Sequence, residues 1–192
     1  LRRSVRIGLY VLAAALFAAP LVAVVAPLVA HPGRRAPDFT LTDQNGRPFT
    51  LSAERGSAVV LFFGYTNCPD VCPATLGAIA SAYRKMGEPG NVRVVFVTVD
   101  PERDTPQALK RYIGLFDPRF IALTGSAGAL SAVEKAYGVY AKIDPEASGA
   151  LGYSVTHTAA VYVIDKDGNL GVPLDWKASA PEFAAAFRKA LS

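Results

Sequence analysis

Cys68 and Cys72 are the only two cysteines in the chain, and they stand four residues apart in Gly64-Tyr65-Thr66-Asn67-Cys68-Pro69-Asp70-Val71-Cys72-Pro73. An apolar run, Ala58 to Phe63, precedes them and reads as a buried strand, and a helical pattern from Pro73 to Met86 follows. A thiol pair at a strand-to-helix junction suits redox exchange or the holding of a soft metal. Residues i and i+4 face the same way on a helix, so Cys68 in the loop and Cys72 on the first turn can aim both sulfurs at one point. The helix N-terminus favours thiolate, and thiolate is the form that binds metal. The charge of Asp70 partly opposes this. Thiol-exchange proteins commonly place two residues between their cysteines; the three found here lean mildly toward metal. A structural disulfide is the plain alternative, but so short a bridge would restrict little of the unfolded chain.

A third ligand has few sources, because the chain holds two histidines, His31 and His157. His157 lies in Gly152-Tyr-Ser-Val-Thr-His-Thr-Ala, which reads as a polar loop entering an apolar strand. Two thiolates and one imidazole would form a soft three-coordinate site, suited to Cu(I) and also open to zinc. A closed zinc site usually takes four protein ligands, so three ligands fit an open copper site better. His31 reads as a residue at the edge of a bilayer, and Met86, the sole methionine, as helix packing. Asp100 ends the next strand and is a candidate supporting group near the thiols. Cap and turn chemistry accounts for its neighbours Asp104, Thr105 and Pro106, with Asp104 or Thr105 as N-cap.

The elements that must position these residues follow from periodicity. Phe39-Thr-Leu-Thr and Phe49-Thr-Leu flank Asp43-Gln-Asn-Gly46, a hairpin signal. Strands are expected at Ser57 to Phe63, Val92 to Val99 and Phe120 to Leu123, with helices after each, the third running from Ser126 to Tyr137 and ended by Gly138. Ala159 to Ile164 and Leu170 to Pro173 read as a hairpin about Asp165-Lys-Asp-Gly168, and Pro181 to Leu191 as a closing helix. The alternation argues an α/β fold with a mostly parallel sheet and an N-terminal β-hairpin. Ligands gather at the carboxyl ends of such strands, where the Cys68, Asp100 and His157 segments can converge.

The chain of 192 residues carries a formal charge of +4. Arg2, Arg3 and Arg6 supply three of those charges, and no acid precedes Asp38, so residues 31–192 carry 17 basic against 16 acidic side chains. A near-neutral domain without a basic cluster gives no footprint for nucleic acid. Gly8 to Ala30 contains no charged residue, and about 20 apolar residues span a bilayer core. With the arginines before it, this run predicts a single anchor with residues 1–7 in the cytoplasm. Residues 31–36 then form a linker, and residues 37–192 a domain on the extracytoplasmic, periplasmic side of the inner membrane. A cleaved signal peptide is the competing reading, and Leu28-Val29-Ala30 is a poor cleavage site for it. Outside the cytoplasm an unprotected thiol pair tends to close, so a working pair there needs a reductant or a metal.

Three separated strings, Gly64 to Pro73, Val97-Thr-Val-Asp-Pro-Glu-Arg-Asp-Thr105, and Val155-Thr-His-Thr followed by Val161-Tyr-Val-Ile-Asp, resemble the Sco/SenC family. The resemblance covers about residues 37–192. It implies a thioredoxin-like fold behind one transmembrane helix, and a copper metallochaperone that helps build the dinuclear copper centre of cytochrome c oxidase. One copper, as Cu(I) or Cu(II), would be held by Cys68, Cys72 and His157, with Asp100 matching an acidic residue that the family places nearby. The implied partners are the copper-bearing oxidase subunit and a second copper chaperone as donor. Some members act mainly as thiol reductants for that subunit, in which case Cys68 and Cys72 are a redox-active pair. Thr158 stands where the family often has Ser, which keeps the hydroxyl. A peroxiredoxin-type peroxidase is disfavoured, because Tyr65 and Leu61 stand where that class has Thr and Pro; a membrane-bound copper or redox sensor stays open.

Overall fold

The structure, a computed structural model, describes residues 33–149 and 152–192. The anchor expected at Gly8–Ala30, the N-terminal residues 1–7 and His31 lie outside the described residues. Among the described residues no helix is long and apolar enough to cross a membrane.

Strands β1 (Thr40–Asp43) and β2 (Pro48–Thr50) form the expected hairpin. At its turn, Asp43 Oδ1 accepts the backbone N–H groups of Asn45 and Arg47, and Gly46 takes φ 77°. A short 3-10 turn (Leu51–Glu54) leads to β3 (Ala58–Gly64). Every residue of β3 is buried, as a strand covered on both faces requires. Then come α1 (Val71–Lys85), β4 (Val92–Thr98), α2 (Pro106–Gly114), β5 (Ile121–Thr124) and α3 (Ala127–Tyr137). β6 (Ala141–Gly149) and β7 (Gly152–His157) follow, then β8 (Ala160–Ile164), β9 (Leu174–Asp175) and α4 (Ala180–Leu191).

Seven strands form one sheet in the order β2-β1-β5-β4-β3-β8-β9. Its centre, β3-β4-β5, is parallel, and the flanking pairs are antiparallel. The N-terminal ends of α2, α3 and α4 are capped by side chains. Thr105 Oγ1 accepts the Ala108 N–H and Ser126 Oγ accepts the Ala129 N–H. Ser179 and Glu182 make a capping box on α4. Gly138 closes α3 with φ 67°, a conformation costly for any residue with a Cβ. Gly33–Ala36, the described part of the expected linker, is tied to the Gly168–Leu170 segment by bonds from Gly33 N–H to Leu170 O and from Ala36 N–H to Gly168 O.

Two expectations change. The segment read as a polar loop around Tyr153 is β7, paired antiparallel with β6 in a separate two-stranded sheet. Neither strand was expected, because Ala-Lys-Ile-Asp-Pro-Glu-Ala-Ser-Gly lacks the β-branched and aromatic density of a core strand. The strand expected at Leu170–Pro173 is limited to one bridge, Ile164 to Leu170, and the regular pairing with β8 shifts to Leu174–Asp175. Pro173 has no N–H to give a ladder.

Candidate metal centre

Cys68 ends the turn that leaves β3, with its N–H bonded to Tyr65 O at 3.2 Å. Cys72 is the second residue of α1, and its thiol is fully buried. Gly64 makes room for it: a Cβ there would lie 2.8 Å from Cys72 Sγ and 2.7 Å from Phe96 Cε2. Asp70 sits at the N-cap position but forms no side-chain cap bond. The Cys68 sulfur takes that place, accepting the Cys72 backbone N–H at 3.4 Å. It therefore occupies the positive end of the helix, where an anion is favoured.

The two thiols are free and differ in character. Cys68 is half-buried. The hydrogen bond from Cys72 lowers its pKa to about 4, with further help from His157 and from the backbone N–H groups of Cys72 and Asp70, against the cost of burial. Asp70 thus favours the thiolate through its backbone, where its charge alone was expected to oppose it. The Cys72 thiol is pushed well above the usual range, because it donates to Cys68 and because it is buried.

His157 is the last residue of β7. Its Nε2 lies 3.6 Å from Cys72 Sγ, and its Nδ1 lies 3.1 Å from Thr158 O. A carbonyl only accepts, so Nδ1 donates to Thr158 O and Nε2 is the ring nitrogen turned toward the sulfurs. Fixing a ligating imidazole through its other nitrogen is a common arrangement at metal sites. The Tyr65 ring meets the imidazole edge-on, with centroids 5.8 Å apart. One donor atom from each of Cys68, Cys72 and His157 lies within 4.8 Å of the other two. The set has the softness to hold Cu(I) or zinc.

The two acids of the Asp100–Thr105 loop do different things. Of the two residues expected as N-cap, Thr105 is the cap and Asp104 is not. Asp104 is fully buried and accepts from Thr66 N–H at 3.1 Å, Thr66 Oγ1 at 2.6 Å and Thr98 Oγ1 at 2.6 Å. It anchors the cysteine turn to the end of β4, and burial raises its pKa. Asp100, also buried, turns toward β7: one carboxylate oxygen pairs with Arg103 and the other accepts from Tyr153 Oη at 2.6 Å. Burial and the bond to Asp100 push the Tyr153 phenol up to about 12, so it stays a donor at neutral pH. Tyr65, Arg103, Asp104 and Tyr153 escaped sequence reasoning as site residues. Arg103 and Asp104 lie inside the Val97–Thr105 string, whose length beyond any cap requirement was the available signal.

The SCO1/SenC family model matches residues 30–192. The chain belongs to the SCO1/SenC family. The bovine mitochondrial SCO2 homologue is 42% identical over 134 residues, covering 68% of this chain and 50% of its own length. The SCO2-like protein of Rickettsia prowazekii is 36% identical over 152 residues, covering 78% and 74%. The chain spans about half the length of the mitochondrial relatives it matches. Among solved structures, copper-bound ScoI of Bradyrhizobium japonicum is 40% identical with a TM-score of 0.74, covering 82% of this chain and 99% of that one. Copper-bound yeast Sco1 is 27% identical with a TM-score of 0.72, covering 81% and 87%. The mixed α/β, thioredoxin-like fold expected from the sequence matches these SCO1/SenC structures.

Proposed function

We propose that the chain is a copper carrier that binds one copper through Cys68, Cys72 and His157. It passes the ion by ligand exchange to the thiolates of the copper-bearing subunit of cytochrome c oxidase, having received it from a second copper chaperone. The observation that carries this reading is the meeting of two sulfurs and one imidazole nitrogen within 4.8 Å. The copper bound to the Bradyrhizobium and yeast relatives supports the choice of metal. Three ligands leave a coordination position through which a receiving thiolate can enter. The low pKa of Cys68 helps, because a ligand already deprotonated gives up no proton on binding. Asp100 acts beside the site through β7. The uncharged run Gly8–Ala30 behind Arg2, Arg3 and Arg6 supports a tether in the inner membrane, with the domain on the periplasmic side.

Copper titration of the purified protein tests this. A one-to-one complex is expected, and His157→Ala should weaken it by about 10-fold or more. A His157→Ala protein that binds as tightly as the parent would refute the three-ligand site.

A second reading, thiol-disulfide exchange that keeps the oxidase subunit's cysteines reduced, is favoured by the asymmetry of the thiols. Cys68 is half-exposed and inclined to thiolate, whereas Cys72 is buried and holds its proton. That is the division between an attacking and a resolving cysteine. Copper-free turnover of a disulfide substrate that survives His157→Ala would support it.

A further inference from the structure

Among the described residues, the strand that presents His157 has no ladder to the seven-stranded sheet. Within them β6 and β7 pair only with each other, while the cysteine turn leaves the centre of that sheet. Immediately after His157, β7 is chained to β8 through Thr158 and Ala159. At Tyr153, four residues before the imidazole, it is gripped by side chains. Arg103 Nη1 donates to Tyr153 O at 2.8 Å, and its guanidinium carbon lies 3.6 Å from the Tyr153 ring centroid. Arg103 Nε pairs with Asp100, whose second oxygen takes the Tyr153 hydroxyl at 2.6 Å. The same guanidinium lies 5.7 Å from the centroid of Tyr65, the ring that meets His157 edge-on. Asp100 and Arg103 belong to the loop between β4 and α2, so this closed set of contacts joins β7 to the sheet that holds the thiols.

We infer that Arg103 and Tyr153, braced by Asp100, are positioning residues that set the imidazole of His157 against the two sulfurs. This rests on the three-ligand reading above. A planar fork that donates to a carboxylate and a carbonyl while stacking on a ring is a job for arginine that lysine cannot do. The clamp therefore acts by geometry and not by its charge, and it acts through His157 alone.

The test measures Cu(I) affinity by competition with a chromophoric chelator, together with the absorption spectrum of the Cu(II) complex. Both are read on the purified protein for Arg103→Lys, Arg103→Leu and Tyr153→Phe. Each substitution is made with His157 present and with His157→Ala. With His157 present, both Arg103 variants should lose about 10-fold in affinity and shift the thiolate-to-copper absorption. In the His157→Ala background the same changes should leave affinity and spectrum unaltered. Tyr153→Phe keeps the ring and loses only the bond to Asp100. It should show the same dependence on His157 with a smaller loss, and it guards against a variant that fails to fold. Equal losses in both backgrounds would overturn the clamp, as would an Arg103→Lys protein that matches the parent while Arg103→Leu does not. If His157→Ala itself leaves affinity unchanged, the three-ligand reading falls and the clamp with it. If His157→Ala weakens binding but the Arg103 effects persist without the imidazole, only the clamp falls.

Discussion

The cysteine segment and the histidine segment bring ligands to one point by different means. Cys68 and Cys72 follow a strand paired along its whole length with β4 and, on the other side, with β8. Their turn is anchored by the buried Asp104, and the Cys68 sulfur itself caps α1. His157 rides on a two-stranded sheet outside that ladder, joined to the body by an arginine, two tyrosines and an aspartate. Backbone ladders place the thiols, whereas side chains place the imidazole. The proposed carrier role would benefit from that division, since a ligand held by a few side-chain contacts is the easier one to release.

Thiol reactivity gives the sharpest test of the cysteine half. The lowered pKa of Cys68 means that thiolate persists as pH falls. Alkylation of the metal-free protein should then proceed at Cys68 with nearly constant rate from about pH 8 to about pH 6. An unperturbed thiol of pKa about 8.5 would slow by roughly a hundredfold over that range. Cys72, buried and protonated, should stay unmodified. Mass spectrometry of the alkylated peptides checks both, and a Cys68 rate that falls in step with an ordinary thiol would contradict the hydrogen bond that the Cys72 thiol gives its sulfur.

Gly64→Ala attacks the packing behind the thiols. Its Cβ would overlap Cys72 Sγ on α1 and the Phe96 ring on β4. Overpacking of this kind costs about 1–3 kcal/mol, to be read from denaturant unfolding, and it should weaken copper binding even with His157 intact. Asp104→Asn is the milder change, removing a charge but keeping the shape. It should cost about 0.5–1.5 kcal/mol, as expected for exchanging one hydrogen bond, because Thr66 N–H, Thr66 Oγ1 and Thr98 Oγ1 all look to that carboxylate. A thermal melt identical to the parent would show that the cysteine turn needs no such anchor.

The two halves also differed in how far the sequence disclosed them. The cysteine half was readable because its signals are local: an unbroken apolar strand, a loop, a Pro in the first helical turn, and i, i+4 spacing. The glycine at 138 and a cap ahead of Pro106 were readable for the same reason. The histidine half depends on partners far apart in sequence. Tyr153 and Arg103 meet across 50 residues. The one part of the cysteine half that stayed hidden, the Asp104 anchor on Thr66, likewise spans 38. An aspartate ahead of Thr-Pro looks like a helix cap until the fold supplies Thr66 and Thr98. β6 carries Asp, Pro and Glu and earns its strand form only by pairing with β7.

X-ray absorption on the copper-loaded protein tests the central claim most directly, by counting the atoms around the ion. The account predicts two sulfurs at about 2.3 Å, the scale of metal–thiolate bonds, and one imidazole nitrogen that vanishes in His157→Ala. A first shell of sulfur alone, unchanged by that substitution, would contradict it.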